Sequence, residues 1–261
     1  MRITAKSIAL MAIFAALYYV LSLIVPIRIP TGLGELEIGF AALIAAVIGI
    51  VLGPYLGFAS AFLGAFVAWV LPPSSGSLFG LPFLLSPPIN ALVTGLIFYK
   101  KWKYGFGVFA VLIIAFMFTP PVQPLTENYG IAAAVLFDKI IALLLILPVA
   151  LFAKHLSVAK ASMFYFLLFF IGNQADNMWG SLIFSTPMVY EGIFNLQLGA
   201  ISVPGSVRFL LTVSPLLYPA VRLIQAAIGM IIAVPLMHAL KGTPWLWQKE
   251  NIMSSTEKEK A

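Results

Sequence analysis

Asp138, Asp176 and Arg222 are ionisable side chains set inside runs that are otherwise apolar, and Asn90, Asn173, Asn177 and Gln225 are amides in the same setting. Charge and unpaired amide groups are costly in hydrocarbon, so such residues face a protein interior or a water-filled cavity and are functional candidates. Asn173, Asp176, Asn177 and Gly180 follow the i, i+3, i+4, i+7 pattern, which places them on one face of a helix. Gln225 stands one turn beyond Arg222 on its own helix. Carboxylates, a guanidinium and amides at one depth can hold a small polar solute, pass a proton, or neutralise and cross-link one another.

Two readings of this set are compatible. In the first, Asp138 or Asp176 neutralises Arg222 as a structural ion pair and the amides tie helices together. In the second, Asn90, Asn173, Asp176, Asn177, Arg222 and Gln225 line a substrate pocket, and the ion pair floors it. An Arg222 open to the ligand favours a carboxylate or phosphate; an open Asp176 favours an amine. Lys139 adjoins Asp138 but points about 100° away on a helix, so it is expected to snorkel or pair elsewhere.

The elements that must position these residues are read from the apolar runs. Of 261 residues, 62% are hydrophobic and 9% charged, and mean hydropathy is +1.05. Ordinary soluble chains are about half apolar and a quarter charged, so bilayer-spanning stretches are required. The runs are continuous rather than alternating, which favours helices over a barrel. Broken at Pro, Gly and charge clusters, they predict spans at 7–25, 38–52, 55–71, 88–99, 105–118, 131–153, 161–183 and 215–239. The fold class is thus all-α, a polytopic bundle of about eight transmembrane helices. On these spans Asp138 and Arg222 each lie seven residues in, about 10 Å below one surface, and Asp176 reaches the same layer from the other side.

Charge sets the expected orientation. With the amino terminus inside, Arg2, Lys6, Lys100, Lys101, Lys103, Lys154, Lys160, Lys241, Lys249, Lys258 and Lys260 fall on the cytoplasmic side, as the positive-inside rule requires. This gives an N-in, C-in topology and accounts for the net charge of +6 without nucleic acid. Residues 1–247 are expected to form a single transmembrane domain, with 248–261 a disordered cytoplasmic tail. The first helix is read as retained, because no small-residue cleavage site follows it. The external segments 26–37, 72–87, 119–130 and 187–207 are long, apolar and rich in Pro, Gly and aromatics. Their composition suits lids or pocket walls. Trp69 and Trp179, near the outer helix ends, are read as interfacial anchors.

Small residues recur every four positions: Ala41, Ala45, Gly49 and Gly53, then Gly57, Ala61 and Ala65, beside Ser60, Gly64 and Ala68. Such stripes allow close backbone approach and are expected to pack within the subunit. What is missing excludes whole classes of function. There is no cysteine, and His155 and His238 sit in no ligand arrangement, so no metal or cofactor is expected. No Gly-x-x-x-x-Gly-Lys or Gly-x-Ser-x-Gly motif is present. No residue set supports an enzyme.

The basic start, Ala12-Ile-Phe-Ala-Ala16 in the first helix, and Leu52-Gly-Pro-Tyr-Leu-Gly57 leading into a small-residue third helix carry a family likeness. So do Asn90-Ala-Leu-Val-Thr-Gly-Leu-Ile-Phe-Tyr-Lys-Lys101 and Tyr218-Pro-Ala-Val-Arg-Leu-Ile-Gln225. Together they resemble the substrate-binding S components of energy-coupling factor (ECF) transporters over about half the chain. The resemblance implies a cell-membrane, multi-pass subunit that captures a water-soluble vitamin or related micronutrient on the external side. It then implies docking through Ala12 and Ala16 onto a transmembrane coupling protein powered by two ATPase subunits, with membrane lipid around the rest. Relative to shorter members the chain carries an extra hairpin, assigned to the fifth and sixth spans. The competing expectations are a proton-coupled secondary transporter using Asp138 or Asp176, and a non-catalytic membrane scaffold.

Overall fold

The computed structural model describes residues 4–24, 27–31, 34–38, 41–152, 158–240 and 243. The tail expected to be disordered, 248–261, lies outside the described residues. Among the described residues eight helices of twelve residues or more form the body: α1 (Ala5–Ser22), α2 (Ala41–Leu52), α3 (Pro54–Val70), α4 (Ser86–Phe98), α5 (Trp102–Met117), α6 (Leu125–Phe152), α7 (Val158–Phe184) and α10 (Tyr218–Leu240). Two short helices, α8 (Pro187–Tyr190) and α9 (Val207–Val213), fall between α7 and α10. Among the described residues four stretches are long and apolar enough to cross a membrane: Ala5–Ser22, Leu81–Phe98, Leu125–Leu151 and Tyr218–Leu240. Helix α7 has the length, but the polar run 173–177 interrupts it. Helix α2, at 12 residues, reaches only about 18 Å.

Local chemistry sets the breaks. Thr4 caps α1 by accepting the Ser7 amide at 3.2 Å. Between α2 and α3, Gly53 takes φ +80°, and Pro54 follows at the first helical position, where its missing N–H costs nothing. Lys100, at φ +62°, turns the chain from α4 into α5. The start of α6 bends at Asn128, whose side-chain amide donates to the Gln123 and Pro124 carbonyls.

The helical bundle carries one short strand pair among the described residues. Strands β1 (Ile27–Thr31) and β2 (Gly34–Ile38) form an antiparallel hairpin within the segment taken for an external loop. Its register pairs Ile27 with Ile38, Arg28 with Glu37 and Ile29 with Leu36. The period-two alternation is present in the sequence, but Pro30 reads as a strand breaker; it is tolerated because a two-stranded ribbon is all edge. We call this end of the bundle, which also carries the 71–85 loop, the hairpin end.

Helix α4 is the hub, packed on α2, α3, α5 and α7, while α7 also contacts α6 and α10. The small-residue stripes do pack inside the subunit. A Cβ at Gly49 would enter the Ala91 carbonyl, one at Gly57 would lie 2.8 Å from the Gly49 Cα, and one at Gly95 would lie 2.8 Å from the Gly49 oxygen. Every atom met there is backbone, so no rotamer change relieves the clash. Gly49→Ala should therefore cost about 2–3 kcal/mol, at the upper end of overpacking effects, seen as a lowered unfolding midpoint in detergent. Gly107→Ala, where a Cβ meets nothing within 4 Å, should be neutral or stabilise by up to about 1 kcal/mol.

Candidate functional site

The buried polar groups converge on α7. Asn173 accepts from the Asn90 side-chain amide at 3.0 Å, and Asn90 in turn accepts from Thr94 at 3.1 Å, tying α4 to α7. A side chain at Gly172 would collide with Thr94 and Asn90, so this glycine lets the amide pair meet. On another side of α7, Gln174 donates to Asp138 of α6 at 3.0 Å. Asp176 faces the Ser86 hydroxyl at the start of α4. Asn177 accepts from Ser181 one turn on, at 3.3 Å.

The expected Asp138–Arg222 pair is corrected by the geometry. Asp138 instead holds Lys139, its neighbour in sequence, with Nζ 3.0 Å from Oδ1. Both residues are only 3% exposed, so Lys139 neither snorkels nor pairs elsewhere. The reason lies in the shape of the buried face. Positions 131, 135, 138, 142 and 149 and positions 132, 136, 139 and 146 of α6 are all buried. The inward direction runs between residues 138 and 139, so each sits about 50° off it, within reach of a flexible lysine. Arg222 hydrogen-bonds to Gln225 on its own helix at 2.8 Å.

Several groups in this layer lack partners. The Asn173 and Asn177 amide nitrogens, the Gln174 amide oxygen and Arg222 Nε are buried without a hydrogen bond. Buried polar groups are satisfied in the great majority of cases, so α7 and α10 concentrate here hydrogen-bonding capacity that their side chains do not spend on one another.

An open cavity of about 180 Å³ lies at the hairpin end between α1, α3 and the 71–85 loop. Its wall includes Tyr18, Ala65, Trp69, Gly80, Phe83 and Pro87, and none of the six expected pocket residues. The polar layer lies one residue behind that wall: Ser86 precedes Pro87, and the Tyr18 hydroxyl interacts electrostatically with Asp176. Trp69 has a packing role beside the anchor reading. Its indole donates to the Ser77 carbonyl at 2.7 Å and backs against Gly80, so it holds the loop that walls the cavity. Trp179 donates to the Pro82 carbonyl at 3.4 Å, and Phe194 packs on Phe79 with ring centroids 5.3 Å apart. Trp179 thereby ties α7, and Phe194 the 187–206 segment, to the same loop.

Ser86, Tyr18, Gln174 and Lys139 were absent from the expected site. Gln174 had a visible signal, since it sits inside the polar run 173–177. Ser86 and Tyr18 had none, being ordinary residues at helix ends. Ala12 and Ala16 are exposed on α1. Among the described residues no cluster of three metal-ligating side chains occurs.

Residues 2–186 match the family described as ECF-type riboflavin transporter, S component. The chain belongs to that family. It is therefore a multi-pass integral membrane protein and a transport subunit, not an enzyme. No curated protein and no solved structure matches the chain. The matched segment runs through α5 and α6, and what lies beyond it is 187–261, with α8, α9 and α10.

Proposed function

We propose that this S component captures a flavin-type vitamin, riboflavin or a close relative, at the hairpin end and hands it to a coupling protein driven by two ATPase subunits. The family match over residues 2–186 carries this reading. The unpartnered donors and acceptors beneath the cavity support it, since a flavin ring edge offers carbonyls and an N–H to such groups. Lys100, Lys101 and Lys103 at the opposite end favour an external hairpin end, with eight spans and both termini inside. Residues 1–247 then form one transmembrane domain. The 180 Å³ cavity is smaller than the roughly 300–1,000 Å³ of small-molecule sites, so entry requires the 71–85 loop to swing outward. Asn90, Asn173, Asp176, Asn177, Arg222 and Gln225 would then contact or underlie the ligand.

Titration of the purified chain with riboflavin, followed by quenching of flavin fluorescence, should give a Kd of about 1 μM or tighter, without any ATPase present. Absence of binding would sink the capture reading. The family also weighs against a proton-coupled carrier using Asp138 or Asp176, which requires gradient-driven uptake by this chain alone.

A further inference from the structure

Helices α7 and α10 run antiparallel, and one contact fixes their relative height. A Cβ at Gly229 would run into the Phe169 ring, so these two residues meet at the seam. Seven residues toward the hairpin end along each helix lie Asp176 on α7 and Arg222 on α10. Seven residues are about two turns, ~10.5 Å of rise, so each keeps to the face that its starting residue presents to the other helix. Asp176 and Arg222 therefore stand level across the seam.

They do not join. The two side chains act on each other electrostatically, yet they are not within the 4.0 Å of an ion pair. Arg222 spends Nη1 on Gln225, and its Nε is buried without a partner. Asp176 is 7% exposed and faces Ser86. Asn177, adjacent to Asp176 and on the same face, has an unpartnered amide nitrogen. A carboxylate and a guanidinium held apart are satisfied together by a group that donates to the first and accepts from the second. The layer is also balanced in charge, with Asp138 on Lys139 and Asp176 opposite Arg222. A ligand carrying net charge into it would leave that charge uncompensated in a low-dielectric interior.

We propose that the α7–α10 seam reads a neutral imide edge, –CO–NH–CO–, with the N–H donated to Asp176, one carbonyl accepting from Arg222 Nε and the other from the Asn177 amide. This rests on the flavin-capture reading, since the pyrimidine ring of riboflavin presents that edge through N3–H. One of the three contacts then comes from α10, beyond the segment that matches the family.

The test compares riboflavin with N3-methylriboflavin on the purified full chain by fluorescence titration. The methyl group removes the one donor and leaves Asp176 unpaired, so wild-type protein should bind the analogue about thirtyfold more weakly or worse. Because that comparison involves no substitution, folding cannot confound it. Asp176→Leu should weaken riboflavin and reduce its preference over the analogue to about threefold or less, the signature of a direct contact in a residue-by-ligand cycle. Arg222→Gln should weaken both ligands about tenfold while the preference for the free N–H persists. Equal binding of the two flavins by wild-type protein, or a preference that survives Asp176→Leu, would overturn the assignment and leave flavin capture standing. No riboflavin binding at all would remove capture and this inference together.

Discussion

Lys139→Met should destabilise the protein by about 3–5 kcal/mol, because it strands the Asp138 carboxylate inside the bundle. Asp138 would keep only the Gln174 amide at 3.0 Å, a neutral donor facing a full charge. In the intact protein Nζ lies 3.0 Å from Oδ1, although Oδ1 takes no well-aligned hydrogen bond, so the contact is chiefly coulombic. Such a pair has already given up the hydration of both ions, and its net stabilisation is small even though breaking it is costly. The double variant Lys139→Met/Asp138→Leu should accordingly return to within about 1 kcal/mol of wild type. Thermal unfolding of the three proteins in one detergent separates the outcomes. A single variant as stable as wild type would overturn the assignment of Lys139 as the partner that the buried Asp138 carboxylate requires.

That pair also marks where reading the sequence reached its limit. The apolar runs located all eight long helices, because a spanning helix cannot hide its composition and Pro, Gly and Lys punctuate its ends. Asn173, Asp176 and Asn177 were legible for the same reason, since each of these side chains is costly in hydrocarbon. Which partner each one takes was not legible. Residues 138 and 139 lie about 100° apart, and only the position of the α6 buried face shows that both can turn inward and meet. Pairing Asp138 with Arg222 by depth ignored rotation about the helix axis, and rotation is set by packing that no single helix encodes. The cavity wall was hidden for a different reason. Tyr18, Ala65 and Trp69 are ordinary membrane-helix residues, and they line a cavity only because the 71–85 loop folds back over them.

In the assembled transporter, Ala12→Trp and Ala16→Trp should abolish ATP-driven uptake while leaving vitamin binding unchanged. The two faces of α1 are occupied differently. Toward the bundle, Ala15 and Tyr18 are buried, Tyr18 seats on Gly64, and the Met11 carbonyl accepts from Ser60 at 2.8 Å. Away from it, Ala5, Ala9, Ala12 and Ala16 are all exposed, a flat strip along which a second helix can bring its backbone close. An indole there projects from the exposed face of α1, so the fold and the Kd should hold within about twofold, an effect below 0.5 kcal/mol as for other substitutions facing outward. Close approach of a coupling-protein helix would be blocked, and uptake should fall by about a hundredfold or more, the loss of some 3 kcal/mol of packing. Leu144→Trp supplies the contrast, because that α6 side chain is 64% exposed and lies away from α1. It should transport normally. Equal loss in Leu144→Trp would point to a general cost of bulk in the membrane, and normal uptake in Ala16→Trp would remove α1 as the docking face. Loss confined to the alanine strip would separate capture from transport, as required of a subunit that binds alone and moves its cargo only with a partner.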